Sequence, residues 1–398
     1  MNSERAHIAL TAFIAEQGFP VAPSQESAAL SPAGPPPTIR TSNFIKNPFV
    51  AKAYRAPQCL EPLTAIQALV AGKKIMPRAD TAANWTELTL EERRERRRIR
   101  REKQREDNVK RAAKMHAARI KTEATTPAGP PELKQSVYVG CSGWRYWKWR
   151  DSFYAGVVQN DWFGQYLKRF DTVEINASFY SWPAVAGVQA WRRQPGKKKF
   201  VYTVKVCEHI THIKKFKGTK TLIRDFGMIA DVLGDRMGCF LFQLPPSYRY
   251  TKTRLKDIVS QLDPARRNVV EFRHASWWNE EVYSAFRKAG IIFCSCSGPR
   301  LPDELIRTAD EVYVRLHGPR RWYRHDYSKE ELEEWADRIK ASGAKRAWIY
   351  FNNDNDAHAP KNATVLRRML GRVLSAESPD NGTLHRSQTF TGVRETVS

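Results

Sequence analysis

Residues 268–274, NVVEFRH, and 311–318, EVYVRLHG, each begin as a β-branched run and end on charged side chains. Val269, Val270, Val312 and Val314 favour an extended backbone, because branched side chains pack well on a pleated surface. Side chains alternate along a strand, so Glu271 and Arg273 share one face and Val270 and Phe272 the other. By the same rule Tyr313, Arg315 and His317 stand together. Six further stretches share the design: YVGCSGW (138–144), TVEINASFY (172–180), FVYTVKV (200–206), CFLFQLPP (239–246), IIFCSCSG (291–298) and AWIYFNND (347–354). Helix-like segments follow them at 161–170, 185–194, 220–235, 252–263, 279–290, 302–309, 328–343 and 361–371. Ser328 with Glu331 makes a capping-box start, and Gly290 and Gly343 suit helix ends. Eight strand–helix units predict an α/β fold, a (β/α)8 TIM barrel, whose chemistry lies where the strands end.

The apolar half of each strand is expected to pack on the outer helices. The polar half then points into the barrel. That places Glu174, Lys205, Gln243, Glu271, Arg273, Arg315, His317 and Asn352 around one axis, near the C-terminal mouth. Unpaired buried charge is very costly, so these groups must pair with one another or with a ligand. One reading is a pocket in which Lys205, Arg273 and Arg315 hold a phosphate or carboxylate while Glu271 or Glu174 serves as acid or base. The other is a satisfied ion-pair layer that only fixes packing. His209, His212, His274 and His317 lie at or beyond strand ends, which leaves a divalent metal as an option, yet no HxH, HExxH or Asp-rich pattern accompanies them. Aromatic residues crowd the same ends: Trp144, Tyr146, Trp147 and Trp149, then Trp277 and Trp278, then Trp322 and Tyr323. Such rings stack on bases or sugars, or simply pack loops. There is no Gly-rich phosphate loop, GxSxG elbow or Walker motif.

The net charge of +24 is spread along the chain. The first 135 residues hold 23 Lys+Arg against 14 Asp+Glu, and the remainder 43 against 28. A basic surface favours anionic partners such as nucleic acid, phosphorylated metabolites or acidic membranes. Six cysteines without a CxxC pair argue against structural zinc and suit a reducing cytoplasm. No apolar run reaches the length of a membrane span.

Residues 1–88, with six prolines between 20 and 37, read as disordered, with a short helix possible at 63–71. Thr89 and Glu92 open a charged segment, 89–121, expected to be a solvated helix because its apolar residues (Ile99, Val109, Met115, Ile120) are sparse. Its arginines make it either a nucleic-acid arm or a spacer. A Pro-rich linker at 122–135 leads to the barrel at 136–374, and 375–398 forms a loose tail.

The strand-end words GCSGWRYWKWRDSFY, FDTVEINASFYSWP, ITH, LFQLPPS, VVEFRHASWW, YVRLHG and YFNND occur in this order and resemble the domain-of-unknown-function 72 (YecE-like) family across about residues 137–370. The resemblance implies a TIM barrel with a pocket but no established reaction. By position it implies pocket roles for Glu174 and Asn176, Lys205, His212, Gln243, Glu271, Arg273 and His274, Arg315 and His317, and Asn352 and Asn353. One departure is SCSGP after strand six, where many members carry an acid and this chain has Ser297.

Three functions follow. The first is a hydrolase or lyase with a basic pocket for an anionic small molecule, in which Glu271, Glu174 and His317 do the chemistry and no cofactor is required. The second is a nucleic-acid-binding or processing protein. The third is a non-catalytic scaffold. The oligomeric state stays open.

Overall fold

The computed structural model describes residues 88–122 and 129–374. Expectations for residues 1–87, 123–128 and 375–398 lie outside the described residues, as does Cys59. Helix α1 is Leu90–Thr122. Its start is the capping box read from the sequence: Glu92 accepts from the Thr89 N–H at 2.8 Å, and Thr89 Oγ1 accepts from the Glu92 N–H at 3.2 Å.

From Arg100 onward the helix belongs to the same compact unit as the barrel, and there it is not the solvated rod expected. Asn108, Ala112, Met115 and Arg119 are buried. Their spacing follows one helical face. Asn108 donates to the Tyr180 carbonyl at 2.9 Å and accepts from the Trp182 N–H at 2.8 Å. The Trp182 indole donates to Met115 Sδ at 3.3 Å. Arg119 Nε donates to buried Asp225 at 2.8 Å. Half of the buried stripe is polar, and each polar member is matched by a specific partner on the barrel.

The barrel follows as β1 (Val137–Cys141), α2 (Trp162–Arg169), β2 (Thr172–Ile175), α3 (Ala177–Tyr180), α4 (Val185–Arg193), β3 (Val201–Lys205), α5 (Lys220–Leu233), β4 (Met237–Gln243), α6 (Lys252–Gln261), β5 (Asn268–Glu271), α7 (Glu280–Ala289), β6 (Ile292–Ser297), β7 (Glu311–Leu316), α8 (Lys329–Ala341), β8 (Arg346–Phe351) and α9 (His358–Leu374). The strands are parallel, in the order β1-β8-β7-β6-β5-β4-β3-β2. The helix expected at 302–309 is absent. That segment is held open by β6 instead: Ser295 Oγ accepts from the Ile306 N–H at 2.9 Å, and Thr308 Oγ1 takes the Phe293 N–H at 2.9 Å while donating to the Ile291 carbonyl at 2.6 Å.

At the β1–β2 seam a side chain replaces the backbone ladder. The Tyr166 hydroxyl accepts from the Cys141 N–H at 2.9 Å and donates to the Thr172 carbonyl at 3.0 Å. Gly140 permits the approach, since a Cβ there would lie 2.5 Å from the Thr172 oxygen.

Two apolar cores flank the strands. The larger lies between strands and helices. The smaller fills the barrel with Val201, Leu241, Val269, Ile292, Tyr313 and Trp348, among others, as the alternation requires. At the N-terminal end Glu311 accepts from Arg267 Nε at 3.0 Å, Arg346 Nη1 at 2.6 Å and the Trp348 indole at 2.7 Å. The chain before β1 closes this end: Arg267 and Arg346 also donate to the carbonyls of Pro131 and Leu133, at 2.8 and 2.7 Å, and Leu133 is buried in the inner core.

Candidate functional site at the barrel mouth

The polar half of the strands does converge at the C-terminal end. Arg315, on β7, is the hub. Its Nη1 donates to Glu271 Oε2 on β5 at 2.5 Å, and its Nη2 to Glu174 Oε1 on β2 at 2.5 Å. The Tyr313 hydroxyl donates to the other Glu174 oxygen at 2.6 Å. Arg315, Glu174 and Glu271 are all 0 % exposed, so this layer is sealed. Burial works against the charge on Arg315, but Glu174 and Glu271 more than offset it and hold the guanidinium protonated. Arg315 is therefore not the ligand clamp the sequence suggested. It is the counter-ion that lets two carboxylates stand inside the barrel.

Above this layer Arg273 Nε bonds Glu271 Oε1, and its Nη2 lies 3.1 Å from His317 Nε2. Its guanidinium carbon sits 4.2 Å over the Trp322 ring. Two of the five N–H donors of Arg273 are thus engaged. Because Arg only donates, His317 Nε2 must accept and Nδ1 carries the proton, an assignment made from the network. That Nδ1 is buried with no partner among the described residues. Burial, then Arg273, Arg315 and Lys205, hold His317 well below the ordinary histidine range, so it is neutral at pH 7. Burial raises the Glu271 carboxyl, but Arg273, Arg315 and Lys205 outweigh this and keep it below its usual value. A Glu271 carboxyl held below its usual value can accept a proton but is poorly suited to act as a general acid at neutral pH.

Lys205 ends β3, 5 % exposed, its ammonium 4.1 Å over the Phe179 ring. Phe179 meets the His212 ring edge-on at 4.8 Å. His212 lies on a one-turn π-helix, His209–Ile213, and is pushed down to about 3 by burial, then by Lys205, Arg101 and Arg273. Arg101 reaches this side of the mouth from α1, held by buried Glu208 at 2.9 Å. Asn176 donates to the Ser142 carbonyl at 2.9 Å, and its buried Oδ1 has no partner among the described residues. Gln243 donates to the Leu244 carbonyl at 2.8 Å, and Asn352 is buried at the end of β8.

Two residues implied by the resemblance stand apart. Asn353 donates to the His325 carbonyl and Asn362 Oδ1, both at 2.7 Å, tying the loop after β8 to α9. His274 Nδ1 accepts from the Ser276 N–H at 3.1 Å and caps a short turn. Ser297 is buried on the outward-facing side of β6, by alternation with inner Cys294 and Cys296. Tyr313, Ser142, Phe179 and Cys296 also belong to the site or its floor. Tyr313 was readable from its shared face with Arg315. The others were not, since a serine, a phenylalanine and a cysteine at strand ends read as ordinary packing.

Glu271, Cys296 and His317 bring potential metal ligands within 4.8 Å of one another. The donor set suits a cation poorly: Glu271 already neutralises two guanidinium groups, and a divalent ion would have to displace Arg273 from both Glu271 and His317. Strain marks the same rim. Tyr323 holds φ +68°, and its ring lies 5.8 Å edge-on from His317. Gly318 turns the chain there, since a Cβ would lie 2.7 Å from the Arg321 carbonyl. Two clefts of about 620 and 630 Å³ lie on the outer wall, lined by residues such as Lys220 and Leu262 or Arg119 and Arg266, and touch none of these groups. No helix among the described residues is long and apolar enough to cross a membrane.

The fold matches solved structures. A DUF72 family protein from Thermotoga maritima is 27% identical with a TM-score of 0.53, covering 60% of this chain and 100% of that one. A DUF72 family protein from Enterococcus faecalis, 17% identical, aligns with a TM-score of 0.52 over 59% of this chain and 95% of that one, and supports the fold alone. No curated protein sequence matches the chain. The description "Protein of unknown function DUF72" fits residues 138–383, and with the barrel, its strand-end words and its sealed arginine hub in place, the chain belongs to that family.

Proposed function

We propose that the barrel mouth binds a small anion-bearing molecule and that the protein is an enzyme of hydrolase or lyase type. One observation carries this reading. At the mouth Arg273 bonds Glu271 and His317 through Nε and Nη2, and the buried His317 N–H beside it lacks an acceptor among the described residues. A layer built only to fix packing would satisfy its buried donors, because an unmet buried polar group is costly. An anionic ligand group would give that donor its acceptor. Arg273 and Lys205 would contact it, neutral His212 and His317 would hydrogen-bond it, Glu271 would accept a proton, and Glu174 with Arg315 would support the floor.

The test is calorimetric titration with inorganic phosphate and a panel of phosphorylated and carboxylated metabolites, on the full chain and on Arg273→Gln. Binding at least about 10-fold weaker in the variant is expected, the loss of about 1.4 kcal/mol from a charged hydrogen bond. Equal binding by both proteins, or none by either, would remove the reading.

A second reading, contact with nucleic acid along α1, is favoured by exposed Lys103, Lys110 and Lys114. It requires a mobility shift that weakens steeply with salt. No shift at low salt excludes it.

A further inference from the structure

We infer that the anion bound at the mouth carries several hydroxyl groups, and that Asn176, Gln243 and Asn352 select it. This inference rests on the anion reading above and narrows its substrate class to sugar phosphates and other polyhydroxylated anions.

The three amides occupy equivalent places on different strands. Tyr350 lines the barrel interior two residues before Asn352, and Leu241 does so two residues before Gln243. Glu174, bonded to Arg315, stands inside two residues before Asn176. Alternation therefore puts all three side chains inside, at the layer above the sealed floor. They ring the mouth rather than crowd one wall. Asn352 follows β8, where its N–H donates to the Leu316 carbonyl at 2.9 Å, next to His317. On the other side of β8 the Ser142 N–H donates to the Phe351 carbonyl at 2.9 Å, and the Ser142 carbonyl accepts from Asn176 at 2.9 Å. Gln243 lies in register with Glu271, the partner of Arg273.

Each amide has two N–H donors and two acceptor lone pairs. Asn176, Gln243 and Asn352 are 5 %, 9 % and 3 % exposed, yet most of that capacity is unspent. Asn176 uses one donor, and its Oδ1 has no partner among the described residues. Gln243 uses one donor, on the Leu244 carbonyl. The Asn352 side chain makes no hydrogen bond among the described residues. Burying an unmet amide is costly, so a position with nothing to bond is ordinarily apolar. Three such positions in one layer at the strand ends call for a ligand.

The amides carry no charge and add nothing to the attraction of an anion. They answer groups that both donate and accept. A hydroxyl does so: it donates to Asn176 Oδ1, and it meets either end of Asn352 whichever way that amide is turned. A nucleobase offers donors and acceptors along one edge, which reaches one wall of the mouth. Hydroxyls spread around a carbon chain or ring reach amides at the ends of β2, β4 and β8 together. Arg273 takes the anionic end. Its Nε and Nη2 are engaged by Glu271 and His317, and its Nη1 has no partner among the described residues.

The experiment is calorimetric titration of the full chain with matched pairs: glycerol 3-phosphate against propyl phosphate, ribose 5-phosphate against pentyl phosphate, and glucose 6-phosphate against hexyl phosphate. The members of a pair share the phosphate and the carbon count, and only one carries hydroxyls. At least one polyol phosphate is expected to bind at least about 10-fold tighter than its alkyl partner. Asn352→Leu leaves no protein group without its partner, and it should cut that preference to within about 3-fold. Equal or tighter binding by the alkyl member of every pair, or a preference untouched in Asn352→Leu, would overturn the inference. So would uridine monophosphate binding at least about 10-fold tighter than every polyol phosphate, since the amides would then read a base. If Asn352→Leu fails to fold, the matched pairs on the unsubstituted chain decide alone. The two readings fail separately. Alkyl phosphates that bind as well as their polyol partners remove the hydroxyl selection and leave the anion site standing. No binding by any phosphate, inorganic phosphate included, removes both.

Discussion

The barrel carries one arrangement at both ends: a glutamate bracketed by two arginines. At the N-terminal end Glu311 lies between Arg267 and Arg346, and at the mouth Glu271 lies between Arg273 and Arg315. The surroundings differ. The lower bracket is covered by the chain's own Leu133 and donates to the carbonyls of Pro131 and Leu133, although Arg267 Nη1 has no partner among the described residues. The upper one has a second carboxylate beneath it, a lysine at the end of the neighbouring strand, and a buried histidine N–H without a partner among the described residues. A charge cluster closed by its own backbone is a structural joint. The same kind of cluster at the mouth, with its second carboxylate and its rim of aromatic side chains, is where we propose that a ligand binds. Residue types alone do not separate the two; what covers them does, backbone carbonyls and Leu133 at the lower end and a second carboxylate with aromatic rings at the mouth.

The sharpest way to break the comparison is at the sealed floor. Arg315→Met leaves Glu174 and Glu271 facing each other at zero exposure. Stability should fall by about 3–5 kcal/mol, as when one partner of a buried pair is removed, read from the midpoint of chemical denaturation. A loss under about 1 kcal/mol would mean that the floor is hydrated, and its separation from the mouth would collapse. The lower end predicts a different signature. Leu133→Ala opens a cavity in the inner core and should cost about 2–3 kcal/mol, while phosphate binding at the mouth stays unchanged. A parallel loss of binding would show that the two ends are coupled rather than independent.

Much of this arrangement was legible in the residues, for a simple reason. Strand alternation is a strict period of two, so Glu174, Lys205, Glu271, Arg315 and His317 had to share the interior once the strands were placed. What the alternation does not specify is partnership. Arg273 and Arg315 lie on the same kind of face, yet one is sealed under two carboxylates and the other stacks on Trp322. Asn353 follows Asn352 and was read with it, but one step along a strand end turns a side chain to the other side, here toward α9. The α1 contact was missed because half of its buried stripe is Asn108 and Arg119, and a search for apolar periodicity passes over them. The missing helix at 302–309 fails similarly: Thr308 and Ser295 supply side-chain partners that an isolated segment cannot reveal.

Acid distinguishes the ends next. His212 and His317 have folded-state values below the unfolded one, His212 at about 3. Below about pH 6.5 the unfolded chain takes up protons that the native mouth refuses, so stability falls as pH falls, and above that pH these groups add no slope. The expected loss approaches about 1.4 kcal/mol per pH unit for each histidine, or about 1–2 kcal/mol in all between pH 6.5 and 5.5. The lower bracket contains no histidine. Denaturation midpoints for the unsubstituted chain and for His212→Asn should therefore diverge in slope over that window. Identical slopes would show that His212 protonates freely and that the mouth is wetter than its burial implies.

The smallest effect concerns the ring that the lower end lacks. Trp322 lies 4.2 Å from the Arg273 guanidinium and 5.2 Å from His317, held by a loop in which the Tyr323 N–H bonds the His317 carbonyl at 2.8 Å. A stacked, partly exposed arginine gains about 0.5–1 kcal/mol from such a ring, so Trp322→Leu should cost no more than that in stability. Its effect on ligand binding should exceed its effect on folding. The ring fixes the orientation of Arg273, and a guanidinium that must be ordered at the moment of binding loses rotamer freedom worth about 0.5–1.5 kcal/mol. Phosphate binding should weaken several-fold, with Arg315 and the floor undisturbed. Equal losses in folding and binding would make Trp322 a packing residue like Trp348 at the other end, and would leave Lys205 and the histidines as the only features that set the mouth apart.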